Sequence, residues 1–161
     1  MDEAHKLPET AQQMLGVTLA AEEIRNLILQ LKQERYLLAA EMLEDSTGPL
    51  LRKLAQPREE AEPVEACLRL LTAPSCTLPI IQRQIGSLLS PLGSCQLNTV
   101  LDAVKLFTRP QTDMTFYTAE DVSTGGAMLC AAADDITQRM KKILWQPDQA
   151  FVLTSGTMAV G

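Results

Sequence analysis

Aromatic side chains are scarce in this chain: one Trp, two Tyr and three Phe among 161 residues. Strands draw on aromatic and β-branched residues, so the shortage disfavours a β-sandwich and points to helices around an aliphatic core. Basic charge is also in deficit. Fourteen Lys and Arg stand against 20 Asp and Glu, a net charge of −6. That argues against a uniformly basic nucleic-acid protein, although local basic patches remain open. His5 is the one histidine, and Cys67, Cys76, Cys95 and Cys130 contain no Cys-x-x-Cys pair. A Cys/His zinc site and a Ser-His-Asp or Cys-His nucleophile therefore lack their parts. No apolar run approaches the length of a membrane span, and the acidic, polar start does not read as a secretory leader. Buried free thiols at Cys67, Cys95 and Cys130 are expected, in a chain from a reducing cytoplasm.

Aliphatic residues are what the chain has instead. Hydrophobic residues make up 46%, enough for a real core. Pro8 suits a first helical turn and Gly16 a stop. Thr18 is placed to cap a long helix, with Glu22 and Glu23 at its positive end. Ile24, Leu27, Ile28, Leu31, Leu38 and Met42 then recur at helical spacing. This helix is predicted to run to about Glu44 and to break at Ser46-Thr47-Gly48-Pro49. A short helix over 50–55, a charged linker over 56–63 and a stripe at Val64, Cys67, Leu68 and Leu71 come next. Pro74 and Pro79 read as bracketing a break. Ile81, Ile85, Leu88 and Leu89 mark a further helix, stopped near Pro91 and Gly93. Leu97, Val100, Leu101 and Val104 mark one more, ending before Pro110.

After Pro110 the pattern changes. Residues 114–119 and 127–132 read as strands joined by Ser123-Thr124-Gly125-Gly126, a hairpin. Asp134 or Asp135 would cap a helix carrying Ile136, Met140, Ile143 and Leu144, and 150–154 reads as a final strand. The expected fold class is mainly α: an antiparallel helical bundle of four or five members with a small C-terminal α/β part of hairpin, helix and strand.

Two short motifs carry chemistry. Asp2-Glu3-Ala4-His5 has the form of a box that ends a strand beside a phosphate-binding loop, its aspartate on Mg²⁺ and its glutamate on the attacking water. Alone, an Asp-Glu pair near a terminus is more often solvated charge. Thr154-Ser155-Gly156-Thr157 follows the last strand, and alone it is more often a polar loop.

In order, the two resemble the DinG-like and XPD-like helicases of superfamily two. Those enzymes carry a Walker B box of this form, often continuing as here into His5-Lys6-Leu7-Pro8. After a helical insertion they carry a strand ending like Phe151-Val152-Leu153-Thr154-Ser155-Gly156-Thr157-Met158. Gly126-Ala127-Met128-Leu129-Cys130-Ala131-Ala132 also reads like the family segment before that strand. The resemblance implies an ATP-dependent DNA helicase of the repair or replication type. Asp2 would be its Mg²⁺ ligand, Glu3 would act on the attacking water, and His5 would link the ATP site to the motor. Ser155, Gly156 and Thr157 would couple hydrolysis to strand separation. Residues 1–16 would end the Walker B region, 17–110 would form an arch-like insertion guiding or gating single-stranded DNA, and 111–161 would return to the motor.

The departures bear on what the chain does alone. It has no Gly-x-x-x-x-Gly-Lys-Ser/Thr loop and no second motor domain. It is therefore expected to be an excised segment, inactive by itself, with ATP and Mg²⁺ belonging to the intact parent. Family iron-sulphur cysteines lie upstream of the box, so the four cysteines here are not assigned to a cluster. Lys32, Arg35, Arg52, Lys53 and Arg58 are the candidate phosphate contacts, each also readable as solvated charge. Tyr36, Phe107 and Trp145 could stack on bases, though packing is the commoner role. The alternative is a helical module that docks a protein partner through an apolar stripe, without DNA contact.

Overall fold

The computed structural model describes residues 16–56, 64–109, 114–121 and 124–134. The box at Asp2 to His5, the motif at Ser155 to Thr157, Arg58, Trp145, the helix expected after Asp135 and the strand at 150–154 all lie outside them. The described elements are β1 (Val17–Ala20), α1 (Ala21–Gln33), α2 (Leu37–Leu54), α3 (Val64–Leu70), α4 (Thr72–Ile85), α5 (Pro91–Thr108), β2 (Met114–Glu120) and β3 (Ala127–Ala133). Helices dominate, and a small antiparallel sheet accompanies them. The chain divides into two compact units, one of residues 17–111 with 116–131, the other of 1–16, 112–115 and 132–161. All five helices belong to the first.

In that unit α1 packs on α2 and α5, and α4 packs on the same two helices, which closes a four-membered ring. The side chains inside are aliphatic: Ile24, Leu27 and Leu31 from α1, Leu43, Leu50 and Leu54 from α2, Leu78 and Ile81 from α4, Leu97 and Leu101 from α5. Each such burial contributes about 1.5–3 kcal/mol. Phe107 is also buried, its ring centroid 5.5 Å from that of Phe116 on β2.

The first long helix is in fact two helices behind a strand. Thr18 lies in β1 and does not cap; α1 starts three residues later, at Ala21. Glu22 and Glu23 keep their place in its first turn, and the Glu23 carboxylate accepts the Ala20 N–H at 2.8 Å. The break falls at Glu34 to Tyr36, where no Gly or Pro announces it. Arg35 takes φ +67, its N–H donates to the Lys32 carbonyl, and the Tyr36 N–H donates to the Leu31 carbonyl. This is a Schellman ending with arginine in the left-handed position that glycine usually fills. Leu38, expected in the buried stripe, is 71% exposed because the new helix begins just before it.

Ser46-Thr47-Gly48-Pro49 does not break α2, which runs through to Leu54 with Pro49 inside it. Leu43, Thr47, Leu50 and Leu54 all face the core, and the Thr47 hydroxyl donates to the Leu43 carbonyl at 2.6 Å. A continuous buried stripe outweighs the local cost of one proline. The short helix expected over 50–55 is thus the end of α2. Pro74 and Pro79 likewise sit inside α4. Pro74 occupies its first turn, where no N–H is needed, and its ring crowds the carbonyl four residues back, where α3 ends at Leu70. Taken together, Val64–Ile85 is long and apolar enough to cross a membrane by length and composition, longer than the sequence reading allowed. Here it is a bundle member that buries Cys67, Leu71, Leu78 and Ile81.

Pro91 and Gly93 begin a helix instead of stopping one. Ser90 is the N-cap of α5, its Oγ accepting the Gly93 N–H at 3.1 Å, and Pro91 takes the first helical position. Leu88 and Leu89 fall in the connection before it.

The hairpin stands where the sequence placed it. The Asp121 N–H donates to the Gly126 carbonyl at 2.7 Å, and the Asp121 carbonyl accepts from Thr124 and Gly125. Strand order is β1-β3-β2, so β3 is central and nearly all buried. β1 is an element that no sequence pattern announces. It pairs antiparallel with β3, Val17 opposite Ala131 and Ala20 opposite Met128. The first residue of the unit and its last therefore lie side by side.

Candidate nucleic-acid interface

The turn at Arg35 folds α2 back along α1 and leaves a groove between them of about 670 Å³. One ion pair spans it: Lys32 Nζ lies 2.6 Å from Glu44 Oε1, both side chains about half exposed. Two turns back along α1 stands Arg25, and two turns on along α2 stands Arg52. Ile28, Leu29 and Leu51 supply apolar walls, and Gly48 also lines it.

Of the phosphate contacts expected from the sequence, Lys32 and Arg52 line this groove, while Arg35 and Lys53 do not. Lys32 is already occupied by Glu44. Arg25, missed in the sequence reading, completes the basic end. Its seven-residue spacing from Lys32, two helical turns, was the available signal. The aromatic candidates are elsewhere: Phe107 is core, and the Tyr36 hydroxyl donates to the Leu88 carbonyl at 3.3 Å.

The far end of the α1–α2 pair is held by Glu34. Its carboxylate accepts from the Gln30 amide at 2.7 Å, the Ser90 hydroxyl and the Ser90 N–H at 2.9 Å. Gly93 lies so close that a Cβ there would stand 2.6 Å from Glu34 Oε1. One carboxylate thus ties the end of α1 to the N-terminus of α5, where negative charge is favoured. Gln30 first, then the Ser90 hydroxyl and amide, hold its pKa below the ordinary 4.5. A lowered folded pKa means stability present above the ordinary carboxylate range and lost as pH falls through the folded value. Glu34→Gln is expected to lower Tm at neutral pH, with the gap to wild type closing below about pH 4.5. Thermal melts across that range check it, and a pH-independent gap would contradict it.

Cysteine chemistry is muted. Cys67 and Cys130 are buried as expected, but Cys95 is exposed, as is Cys76; none of the four is in a disulfide. Burial pushes the Cys130 thiol up, only partly offset by hydrogen bonds with Tyr117 and the Ala119 backbone. A raised pKa makes it a poor nucleophile. Among the described residues no group of three or more His, Cys, Asp or Glu could hold a metal. Compared with protein-family models, curated proteins and solved structures, the chain matches none.

Proposed function

We propose that this chain is part of an ATP-dependent DNA helicase, its helical bundle serving as an insertion that guides single-stranded DNA beside the motor. The observation that carries this reading is the pairing of Val17 with Ala131. A compact unit whose first and last residues are adjacent has the form of a domain inserted within another. The order of the end motifs, Asp2-Glu3-Ala4-His5 before the bundle and Ser155-Gly156-Thr157 after it, supports a motor as the host. On this reading Asp2 holds Mg²⁺, Glu3 acts on the water that attacks ATP, and the groove cations face the strand.

The test is ATP hydrolysis by the complete polypeptide encoded by the reading frame containing this segment. Hydrolysis stimulated by single-stranded DNA and abolished by Glu3→Gln is expected. A complete polypeptide whose turnover ignores both DNA and Glu3 overturns the proposal.

A second reading, docking of a protein partner, is favoured by one observation. Leu37 and Leu38 of α2 and Leu88 and Leu92 beside the start of α5 are all exposed, and the Tyr36–Leu88 and Glu34–Ser90 bonds bring the two segments together. Apolar clusters of this kind mark interaction surfaces.

A further inference from the structure

We propose that the α1–α2 groove binds the phosphodiester backbone of single-stranded nucleic acid, through Arg25 and Arg52, which both line it. The assignment rests on the helicase reading for its choice of ligand and on the groove for its place.

Both arginines are exposed and line the same end of the groove. No ion pair joins either of them to a described acidic residue. Two cations lining one groove favour an anion within it, and the planar fork of a guanidinium fits phosphate oxygens bidentately. The chain carries −6 overall, so surplus carboxylates were at hand to neutralise this pair. At the other end Glu44 does neutralise Lys32. The groove is therefore divided along its length, with a cationic end that has no ion pair among the described residues and a self-paired end about 10 Å apart at the rise of a helix.

A strand backbone suits that division because its charge repeats along its length. One phosphate would seat between Arg25 and Arg52, and a later one would compete with Glu44 for Lys32. The wall between them is apolar. Leu29 is 54% exposed, and at Gly48 the Arg52 guanidinium lies over the floor, its Nη1 3.7 Å from where a Cβ would stand. Sugars and base faces have an apolar surface to lie on, which a free phosphate would leave uncovered. Glu44 is thus a positioning residue that weakens binding by holding Lys32.

Fluorescence anisotropy with a labelled oligothymidylate, at two salt concentrations, tests this on the chain as it stands. Arg25→Gln and Arg52→Gln are each expected to weaken binding several-fold. Each should also flatten the slope of log K against log salt by about 0.7, the share of one single-strand phosphate contact. Glu44→Gln frees Lys32, so it should tighten binding and steepen the slope. Arg83→Gln, on the exposed face of α4, should leave both unchanged. Circular dichroism confirms equal folding of the variants.

If the oligothymidylate binds but neither arginine variant changes affinity or slope, the groove assignment falls while DNA contact by the chain stands. If nothing binds at low salt, both fall. Two competitors separate the ligand classes. Displacement by pyrophosphate at equal charge concentration makes this a free-phosphate site and overturns the assignment. Displacement by oligoglutamate, with the same dependence on Arg25 and Arg52, makes it a site for an acidic protein segment and overturns it equally.

Discussion

Pro49→Ala is expected to raise the free energy of unfolding by about 2 kcal/mol. Pro49 sits in the interior of α2, where its missing N–H leaves the Asp45 carbonyl without its intrahelical donor. Proline in a helix interior costs about 3 kcal/mol relative to alanine, and losing its stiffening of the unfolded chain returns about 1 of these. Pro49 is exposed, so the exchange forfeits no core packing. Urea denaturation should show a higher midpoint at unchanged slope. An unchanged midpoint would mean that α2 already relieves the proline by another route. The residue lies next to Gly48, which lines the groove, so the same variant also asks whether the proline matters for ligand binding.

Gly126→Ala is expected to act in the opposite sense and to cost about 1–3 kcal/mol, the range of an overpacked core. A Cβ there would meet the Leu54 carbonyl oxygen at 2.5 Å, and that oxygen is backbone at the end of α2. It cannot swing aside as a side chain would. The sheet or the helix end has to move instead, and β3 carries the unit's most buried strand. Gly48→Ala is the matched control. Its Cβ would find Arg52 Nη1 at 3.7 Å, an ordinary contact, and alanine gains about 1 kcal/mol over glycine in a helix. Equal effects from the two substitutions would contradict the close approach of the hairpin to α2.

The contrast between these glycines shows what the sequence could and could not reveal. Aliphatic periodicity placed the core correctly, because Ile24, Leu27, Leu31, Leu97 and Leu101 bury on one face however the helix ends fall. The hairpin was readable from alternation and from paired glycines. Helix boundaries were not. Pro49, Pro79, Pro91 and Gly93 read as breaks because proline and glycine break isolated helices, yet burial on both sides holds two of them inside helices and a serine cap makes the other two a start. At Arg35 the chain turns without a turn residue, since bonds to the Leu31 and Lys32 carbonyls and the Glu34–Ser90 contact supply what glycine would have. β1 was hidden for a similar reason. Four residues carry almost no pattern of their own, and their partner lies more than a hundred positions away. The basic residues were visible singly, but only the folding of α2 on α1 selects Arg25 and Arg52 and sets Arg35 and Lys53 apart.

The antiparallel pairing of β1 with β3 also has a mechanical side. Val17 and Ala131 are opposite each other at the same end of a four-residue ladder. Tension that draws these two points apart loads the ladder one bond at a time, as a zipper opens, where a pull along the strands would load every bond at once. Such a ladder yields at low force while the aliphatic ring of four helices, bearing none of the load, stays closed.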